Sequence, residues 1–571
     1  MTGLAAGRRV PTAAGLLATL VYLLTMDRSA SWWDCGEFIA TGWLLQVGHP
    51  PGAPVYQLLQ HLFMLFSFGN PLLVAPLSNA LSAVAGGATV GLLCRIVTAM
   101  GAKPWAALAG ALCYLFCDTA WFSAVESEVY SLAMLFCALD VWLALQWRRT
   151  RNGRLLALLA LTLGLGVGVH LMTLLTVPAI ALVVLRNCKP APLLKRLPVL
   201  LAFLLLGLTP YAVIPIRAAA GPPINEGNPS TAESFGKYLR REQYAKAPLY
   251  PRLWRERDSS NAVQWTGGHD GLWGNSVYYV RYQLGYMYGR YLMYNYIGRE
   301  NLKSHRIVLF VLPFLLGLWG LLCHRRRSRT DFWVVMLLFL FGGVVLNFYL
   351  NHPCYEPRER DYAYALSFFA FAVWIGVGAD ELALMCGQRR RLKTAVAVVA
   401  LLAPLTLAAG NWSDHDRHRC HAVHDISLNH LQSCDPDAVL VTFGDNDTFP
   451  LWYLQQVEGL RTDVEIYNIG LTGFQATMDI VGTSLGQRPV YVTQYFCDRY
   501  GWLFEGRLRC EGFCWRVLPS SEGTDDPRPM QRHLAAAEWH ITGSEYIDRV
   551  SASFLHTWEQ NTGQSIRTGN R

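Results

Sequence analysis

The sequence predicts an α-helical multi-pass membrane protein that carries a small α/β soluble domain at its carboxyl end. Of its 571 residues, 52% are hydrophobic and 16% are charged, whereas ordinary soluble domains contain roughly 25% charged residues. Long apolar runs fill residues 1–410, and residues 411–571 instead show short strand-like runs, turns and charges. Basic residues cluster in short loops between the apolar runs, as in the cytoplasmic loops of membrane proteins. The net charge of +8 therefore does not indicate a nucleic-acid partner.

The apolar runs predict about 11 transmembrane helices, given that roughly 20 apolar residues cross a bilayer. The run that starts at residue 11 is not followed by an A-x-A-like cleavage site, so we interpret it as a retained helix rather than a signal peptide. Residues 155–185 lie between two basic loops and are expected to hold two short helices that break near residues 164–170. The predicted segments are 11–26, 76–99, 104–120, 129–147, two within 155–185, 197–215, 305–323, 331–350, 363–386 and 394–410.

Residues 54–68 are an exception, because about 15 residues are too few to cross. We interpret them as a helix in the membrane interface. If the amino terminus is inside, each span carries the chain to the other side of the membrane, so every second loop and the tail lie outside. These external segments are loops 27–53, 118–128, 216–304 and 351–362 of the membrane domain 1–410, and the soluble domain 411–571.

Asp34 and Glu37 follow the first apolar run directly, in the segment SWWDCGEFIATGWLLQVGHPPGAPVY. A charge at the mouth of a membrane helix loses hydration unless it is paired, solvated or used, so this pair is a functional-site hypothesis. The alternative is structural. Asp-x-x-Glu is also the pattern of a helix capping box, in which neither carboxylate touches a substrate. Both interpretations stay open on the residues alone.

Further acidic and basic residues fall on the same predicted face. Glu126 and Glu128 are two residues apart, so on a helix only one of them would face the site. Arginine forks match phosphate, carboxylates accept protons, and aromatic faces line sugars or isoprenoids, so the group suits a polar substrate carried on a lipid phosphate. An ion pair with Asp361 or Glu359 is the structural alternative for Arg360. The candidates are Glu126, Glu128, Arg217, Glu226, Arg358, Arg360 and Asp361.

His49 and His170 each have a functional and a structural interpretation. His49 lies in GHPPGAP, whose prolines and glycines predict a rigid turn that a histidine can stabilise. His170 lies inside an apolar hairpin, where a histidine usually bonds a neighbouring helix. Contact with substrate is the alternative for both.

The first half of the tail predicts an α/β unit. Residues 438–443 have the pattern of a buried strand, GDNDT that of a tight turn, Pro450 begins a helix, and VEIYNI is a second strand. Asp445 and Asp447 in the turn could hold calcium or contact an acceptor. Since Asp and Asn are the ordinary residues of such turns, we favour the structural role.

The tail also contains many histidines and cysteines. The histidines at 415, 418, 421 and 424 with Cys420 fit no recognised zinc spacing, so no metal site is predicted. If the tail faces an oxidising compartment, one or two disulfides are expected, with their connectivity open. The tail cysteines are Cys420, Cys434, Cys497, Cys510 and Cys514.

Seven blocks of the sequence resemble one family of membrane glycosyltransferases. Its bacterial members are multi-pass proteins, notably of Bacteroidetes. Its animal member is an endoplasmic-reticulum protein O-mannosyltransferase that acts on immunoglobulin-like IPT domains of plexins and related receptors. The resemblance runs from about residue 12 to about residue 480 and is weaker beyond. The blocks are WDCGEFIATGWLLQVGHPPGAPVY, WFSAVESEVYSL, GVGVHLMTLLTVPAIAL, YAVIPIRAAAGPPINEGNP, REQYAKAPL, YEPRERDYAYALSFFAFAVWIG and FGDNDTFPLWYLQQVEGLRTDVEIYN.

The resemblance implies a GT-C architecture with a lipid-phosphate-linked sugar as donor and transfer on the non-cytoplasmic side. It implies that a sugar, expected to be mannose, moves with inversion to Ser or Thr hydroxyls of exported proteins. Asp34 would be the general base, with Glu37 as alternate base or acceptor-positioning group. Arg217, Arg358 or Arg360 would stabilise the departing polyprenyl phosphate. No cofactor is implied, and dependence on a divalent ion stays open.

The expected location is a bacterial inner membrane with the site facing the periplasm, or the endoplasmic reticulum membrane in a eukaryote. Two other functions stay open. The same base and donor would serve a glycan or lipid acceptor, selected by loop 216–304 and the tail. A transporter or flippase would instead place ionisable residues near span midpoints, often in repeated halves. Here they lie at the predicted external ends, and we find no internal repeat.

Overall fold

A computed structural model describes residues 2–244, 246–253, 262–299, 311–354 and 358–519. The start of the predicted span 305–323, parts of the predicted loops 216–304 and 351–362, and the end of the tail lie outside these ranges. The described residues before 416 are almost entirely helical. Their helices are α1 (Thr2–Thr25), α2 (Cys35–Leu44), α3 (Pro54–Met64), α4 (Val74–Ala99), α5 (Pro104–Leu115), α6 (Asp118–Ala124), α7 (Val129–Thr150), α8 (Gly153–Val167), α9 (Val177–Asn187), α10 (Pro190–Leu208), α11 (Val213–Ala219), α12 (Ala232–Leu239), α13 (Gly271–Tyr278), α14 (Arg290–Tyr296), α15 (Leu312–Arg327), α16 (Arg329–Leu340), α17 (Leu346–Leu350), α18 (Ala365–Met385) and α19 (Arg390–His415).

Local sequence explains several of these boundaries. Prolines at the first position start α3, α5 and α10, where the missing N–H costs no hydrogen bond. Helix α7 ends in Arg148 and Arg149, and Arg151 follows in the left-handed conformation with φ of 59°. Basic residues in a last turn interact favourably with the negative end of the helix dipole. The basic loops of the sequence are therefore also helix stops.

Within the described residues, six helical segments are long and apolar enough to cross a bilayer, and a seventh is counted if α5 and α6 form one span bent by 66°. The prediction of a helical multi-pass membrane protein is confirmed, but the count of eleven is not. Three further apolar helices, Arg9–Thr25, Gly153–Val167 and Leu171–Asn187, are shorter than a full span. The six segments are Pro71–Ala99, Val129–Thr150, Pro190–Ala219, Arg329–Leu350, Asp361–Met385 and Arg390–His415.

Two predictions about short helices are confirmed at the level of secondary structure. Residues 153–187 form two helices, α8 and α9, separated by a break at Gly168–His170 and a 3₁₀ turn over Leu171–Thr176. Residues 54–68 form α3 and one 3₁₀ turn and are too short to be a candidate span. Their predicted position in the membrane interface stays a prediction.

Close helix packing fixes the membrane domain around α18. The apolar window of Asp361–Met385 is 78% buried, against 11% for Pro190–Ala219, so the former is central and the latter peripheral. Helices α1 and α4 approach through glycines: a Cβ atom at Gly87 would lie 2.9 Å from the carbonyl oxygen of Gly15. Small residues at such contacts let two backbones pack directly. The loop after α1 is thereby held against α4.

The tail confirms the predicted α/β domain. Its five-stranded sheet has the order β2-β1-β3-β5-β4, with β2, β1 and β3 parallel and β5 antiparallel to β3 and β4. The predicted strand, turn, helix and strand correspond to β1, residues 443–448, α21 and β2. The elements are α20 (Ala422–Ser433), β1 (Val439–Thr442), α21 (Phe449–Gln456), β2 (Glu465–Asn468), α22 (Ile469–Thr472), α23 (Phe474–Ser484), β3 (Val490–Thr493), α24 (Gln494–Tyr500), β4 (Leu508–Glu511) and β5 (Cys514–Val517).

The soluble domain packs directly on α2. Ile39 and Ala40 of α2 share one buried apolar cluster with Leu440 of β1 and Leu451 of α21. The contact is so close that a Cβ atom at Gly36 would lie 2.5 Å from the carbonyl oxygen of Phe449. The acidic first loop therefore lies at the junction of the two domains.

Candidate active site

The capping-box interpretation of the first loop is wrong. Asp34 occupies the N-cap position of α2 with helical backbone angles, but its carboxylate makes no capping hydrogen bond. Glu37 does not reach back to the helix start and turns instead to His49. Its Oε1 accepts the backbone N–H of His49, and its Oε2 lies 2.6 Å from Nδ1 of that histidine. Both carboxylates are therefore directed to tertiary partners.

Asp34 pairs with Arg358 of the RERDY segment, residues 358–362. Its Oδ2 lies 3.2 Å from Nη2 of Arg358, and the two side chains are only 17% and 11% exposed. Burial raises the pKa of Asp34, but the positive charges of Arg358 and then His49 outweigh this effect, so its pKa lies below its usual value. Asp34 is thus ionised at neutral pH, as a general base must be.

Glu128 lies beside the same arginine. Its Oε1 is 3.7 Å from Nη1 of Arg358, and its side chain is buried. Burial, followed by repulsion from Asp34, raises the pKa of Glu128 well above its usual value. The group therefore combines one carboxyl whose pKa is lowered, Asp34, with one whose pKa is raised, Glu128. Neighbouring acids whose surroundings push their pKa values apart are typical of acid–base sites.

Aromatic rings hold the two arginines of the RERDY segment. Cζ of Arg358 lies 4.9 Å from the ring centroid of Trp33 and 4.6 Å from that of Tyr362. The hydroxyl oxygen of Tyr362 accepts hydrogen bonds from Nε of Arg358 at 3.1 Å and from Nη1 of Arg360 at 2.6 Å. Tyr130 packs on Tyr362 with a centroid distance of 4.4 Å. Two guanidinium groups are thereby brought together on one aromatic platform.

Glu37, His49 and Glu226 form a second group. Burial lowers the pKa of His49, but the Glu37 carboxylate outweighs it and raises the pKa to about 10, so the ring is an imidazolium at neutral pH. Burial and then repulsion from Glu37 raise the pKa of Glu226. The backbone N–H of Glu226 donates to the carbonyl of Val47 at 3.0 Å, which holds loop 216–230 against this group. Since both oxygens of Glu37 are engaged, it is better placed to position His49 than to take a proton.

An open pocket borders the Asp34 group, and Arg358 and Glu128 form part of its wall. Asp361 accepts a hydrogen bond from the hydroxyl of Thr119 at 2.5 Å, and Arg299 pairs with Asp118 at 3.0 Å. Arginines beside aromatic rings suit a phosphate with an apolar substituent. The pocket is lined by Phe122, Ser123, Glu126, Glu128, Tyr130, Arg299, Arg358, Glu359, Asp361 and Tyr362.

The turn after β1 brings the soluble domain to the site. Asp445 is more exposed than Asp447, and its partial burial, followed by repulsion from Asp34 and Glu37, raises its pKa to about 6. Asp447 is buried and accepts the N–H of Phe443 at 2.9 Å and the hydroxyl of Thr493. The favoured structural role therefore fits Asp447, whereas Asp445 lies beside the two acids of the first loop.

Three candidates make their hydrogen bonds or ion pairs with groups other than Asp34 and Arg358. Arg217 donates to the carbonyls of Leu44 and Leu45 at the far end of α2, at 3.1 and 2.6 Å. Nδ1 of His170 accepts the N–H of Met172 and so caps a 3₁₀ turn, and its ring contacts that of Tyr130 on α7 at a centroid distance of 5.5 Å. Glu126 borders the pocket, but its carboxylate pairs with Arg417 at 2.5 Å. Of the Glu126 and Glu128 pair, only Glu128 contacts Arg358, although the two lie in a turn and not on a helix.

Sequence reasoning missed two residues of this region. Arg299 lies in loop 216–304, which was predicted to be external, so its position on the same face as the other candidates could have identified it. Asn446 lies between the two aspartates of GDNDT, and its side-chain oxygen accepts the backbone N–H of Trp33 at 2.6 Å. No local pattern could have indicated that bond, because its partners are 413 residues apart.

The ligand atoms of Asp34, Glu37 and His49 lie within 4.8 Å of one another, which is compatible with a metal ion. The Arg358 guanidinium and the His49 imidazolium already neutralise these carboxylates, however, so the donor set as it stands is an ion-paired group. The tail histidines bond separately: His415 to the carbonyls of Asn411 and Asp118, and His424 to Asp425 and Glu458. The described cysteines are not joined in disulfides in this structure, and the disulfides expected for a tail in an oxidising compartment stay a prediction.

The fold is that of GT-C membrane glycosyltransferases. The chain superposes on a crystal structure of ArnT from Cupriavidus metallidurans bound to undecaprenyl phosphate with a TM-score of 0.50. The superposition covers 92% of this chain and 99% of the ArnT chain at 11% sequence identity, so it speaks for the fold alone.

Sequence comparison then gives the family to which the chain is similar. Residues 34–192 match the model of the protein O-mannosyl-transferase TMEM260 N-terminal domain, and residues 423–475 match TMEM260-associated domain 2. The chain is 25% identical to the protein O-mannosyl-transferase TMEM260 of Mus musculus, over 78% of this chain and 60% of that protein. It is 22% identical to the Dictyostelium discoideum tmem260 protein, over 80% and 56%. The chain thus spans less than two thirds of the length of these relatives, which carry the family name that its motifs suggested.

Proposed function

We propose that this protein transfers a sugar, mannose, from a polyprenyl-phosphate donor to Ser or Thr hydroxyls of exported proteins, with Asp34 as general base. The observation that carries the proposal is the Asp34–Arg358 pair, in which a carboxylate base contacts a guanidinium that lines the pocket and is suited to bind phosphate. The similarity to protein O-mannosyl-transferases supports the sugar and the acceptor class. The site would face the periplasm, or the lumen in a eukaryote.

The chemistry follows from the charges. An acceptor hydroxyl oxygen attacks the anomeric carbon, the bond from that carbon to the phosphate oxygen breaks, and the electron pair leaves with the phosphate. The hydroxyl proton passes to Asp34. A positioned carboxylate contributes roughly 10²- to 10⁴-fold as general base. Because Arg358 makes Asp34 a weak base, proton transfer would follow formation of the new bond, when the hydroxyl has become acidic.

The leaving phosphate requires cations that are already in place. Arg358 and Arg360 converge on Tyr362, and Arg299 lines the same pocket. A phosphate that gains negative charge as its bond breaks would draw Arg358 away from Asp34, which would then become a stronger base. Arg358 would thereby couple departure of the phosphate to acceptance of the proton. Arg217 bonds α2 carbonyls and supports this step less well.

A glycan or lipid hydroxyl is the second candidate acceptor. Loop 216–230 and the turn at 443–448 both border the acids of the first loop, so the acceptor would enter between them. A transporter is less well supported, because the acids and arginines of this site lie at helix ends beside the soluble domain, and Asp140, buried at the middle of α7, accepts a hydrogen bond from Thr162 of α8.

The test is transfer by purified enzyme from polyprenyl-phosphate mannose to a secreted Ser/Thr-containing domain. We expect Asp34→Asn to lower kcat by about 10²- to 10⁴-fold, the range of a lost general base. Glu37→Gln should retain more activity, since Glu37 holds His49. Asp479→Asn, the same change at an exposed position on α23, should behave as wild type.

The outcomes separate the alternatives. Wild-type rates in Asp34→Asn would show that another group takes the proton. Transfer to a glycan or lipid acceptor but not to the protein domain would favour the second candidate. No transfer to any of the three acceptors by folded wild-type enzyme would contradict the proposed reaction.

A further inference from the structure

The turn of the soluble domain contacts the main chain that precedes the proposed base. Oδ1 of Asn446 accepts the backbone N–H of Trp33 at 2.6 Å. Trp33 has a φ of 65°, in the left-handed region that side chains other than glycine rarely adopt. A strained residue keeps such a conformation only when surrounding contacts hold it. The Asn446 hydrogen bond is such a contact.

Trp33 connects this bond to the chemistry in two ways. Its peptide runs directly into Asp34, the residue before α2, so its backbone angles set the direction of the Asp34 side chain. Its indole ring lies 4.9 Å from Cζ of Arg358, the cation that pairs with Asp34. A shift of Trp33 would therefore move both members of the Asp34–Arg358 pair.

The turn itself is rigidly built. The carbonyl of Asp445 accepts the N–H groups of Thr448 and Phe449, at 3.1 and 2.9 Å. Asp447 is fixed by the N–H of Phe443 at 2.9 Å. The start of α21 in turn abuts Gly36 of α2. The position of Asn446 relative to α2 is thus set by the soluble domain as a whole.

We propose that Asn446 is a positioning residue of the active site, through which the soluble domain holds Trp33 and so orients Asp34 against Arg358. The inference rests on the proposed function in assigning Asp34 as the base. In this view the soluble domain is part of the catalytic apparatus as well as a platform for an acceptor, because the site is incompletely ordered without it.

Hydrogen exchange tests whether Asn446 holds Trp33, and it requires no assay of sugar transfer. In the purified full-length protein, Asn446→Ala should increase amide exchange of peptides that contain Trp33, because the N–H loses its acceptor. The matched control is Gln455→Ala on α21, whose amide donates to the carbonyls of Arg461 and Val464 within the soluble domain. It should leave the Trp33 peptides as in wild type. Unchanged exchange at Trp33 in Asn446→Ala would overturn the proposal, whatever the activity.

Kinetic measurements test whether this hydrogen bond supports catalysis by orienting Asp34. A misplacement of about 1 Å can cost about 10²-fold, and we expect kcat per folded Asn446→Ala enzyme to fall by about 10-fold. Gln455→Ala should match wild type. Equal kcat in Asn446→Ala and Gln455→Ala would overturn the proposal.

The pH profile provides a readout that simple loss of folded protein would not change. The charged groups around Asp34 are Arg358, His49, Arg360, Glu37, Glu128 and Asp445. The charge of Arg358 is the largest effect that lowers the pKa of Asp34, whereas burial raises it. If the Asp34–Arg358 pair loosens, the pKa of Asp34 rises, so the acid limb of kcat/KM in Asn446→Ala should move to higher pH. An acid limb identical to that of wild type would contradict the role. If wild type itself transfers no sugar, the proposed function fails, and hydrogen exchange still decides whether Asn446 holds Trp33.

Discussion

At the residue scale, the informative contrast is between two carboxylates three positions apart. Asp34 meets Arg358 at 3.2 Å from a partly open position, whereas Glu37 is fully buried and bonded twice to His49. The sequence alone placed both at a capping box or at an active site with equal justification. Their partners decide the matter, and those partners lie 324 and 12 residues away. A motif of four residues could not specify them.

The Glu37–His49 pair predicts a pH-dependent stability. The histidine pKa is about 10 in the folded protein, against roughly 6.5 in an unfolded chain. Its contribution is therefore complete below about pH 6.5 and is lost as the pH rises toward 10. Glu37→Gln should destabilise the protein by about 1.5–3 kcal/mol at pH 6.5, the range for a hydrogen bond to a charged group. The difference from wild type should shrink as the pH approaches 10.

Thermal unfolding of the detergent-solubilised protein across pH 6.5 to 10 provides the measurement. Glu233→Gln is the matched control, since Glu233 forms an exposed pair with Lys237, and exposed pairs contribute little. A Glu37→Gln effect of the same size at both ends of this range would argue against an ionised pair.

At the scale of elements, α2 and the turn before α21 form one unit although they belong to different domains. The strand, turn and helix pattern at 438–457 was confirmed as β1, the turn and α21, whereas α2 lies in residues that were predicted as the external loop 27–53. The sequence could not predict their contact. Gly36 appears in the sequence as an ordinary residue of DCGEF, and only the carbonyl of Phe449 opposite it explains the absence of a side chain.

Gly36→Ala tests this contact. The new Cβ atom would lie 2.5 Å from a backbone oxygen, which cannot rotate away as a side chain would. Overpacking of this kind costs about 1–3 kcal/mol. We expect a lower melting temperature and slower sugar transfer, because the displaced α21 carries the Asn446 turn with it. Gly482→Ala in α23, where nothing lies within 4 Å of the new Cβ, should change neither. Wild-type transfer and melting in Gly36→Ala would show that the contact is not tight.

At the scale of the whole molecule, composition and charge pattern were sufficient to predict a helical membrane domain followed by an α/β domain. They were insufficient to count the spans, because short apolar helices such as α8 and α9 do not differ in composition from full spans. They also could not show how the tail sits on the membrane domain. That placement depends on single long-range contacts, of which the bond from the N–H of Arg417 to the carbonyl of Thr25 is one.

Arg417 also makes the ion pair that we expect to fix this placement. It lies just after α19 and is fully buried, with one guanidinium nitrogen 2.5 Å from Glu126 and Cζ 3.9 Å from the ring centroid of Phe122. Removing one member of a buried pair leaves an uncompensated charge and costs about 3–5 kcal/mol, whereas replacing both is often close to neutral. Arg417→Met and Glu126→Gln should therefore each lower the melting temperature more than the double variant does.

The exposed pair Arg240–Glu242 provides the matched control, since Arg240→Met and Glu242→Gln should each have small and additive effects. If the Arg417 and Glu126 variants were also additive, the pair would contribute no more than its two separate side chains, and the apolar cluster around Leu440 and Leu451 would carry the attachment instead. The expected non-additivity follows from burial. A charge left without its partner at the buried Arg417–Glu126 pair is not hydrated, whereas at the exposed Arg240–Glu242 pair water solvates the remaining charge at little cost.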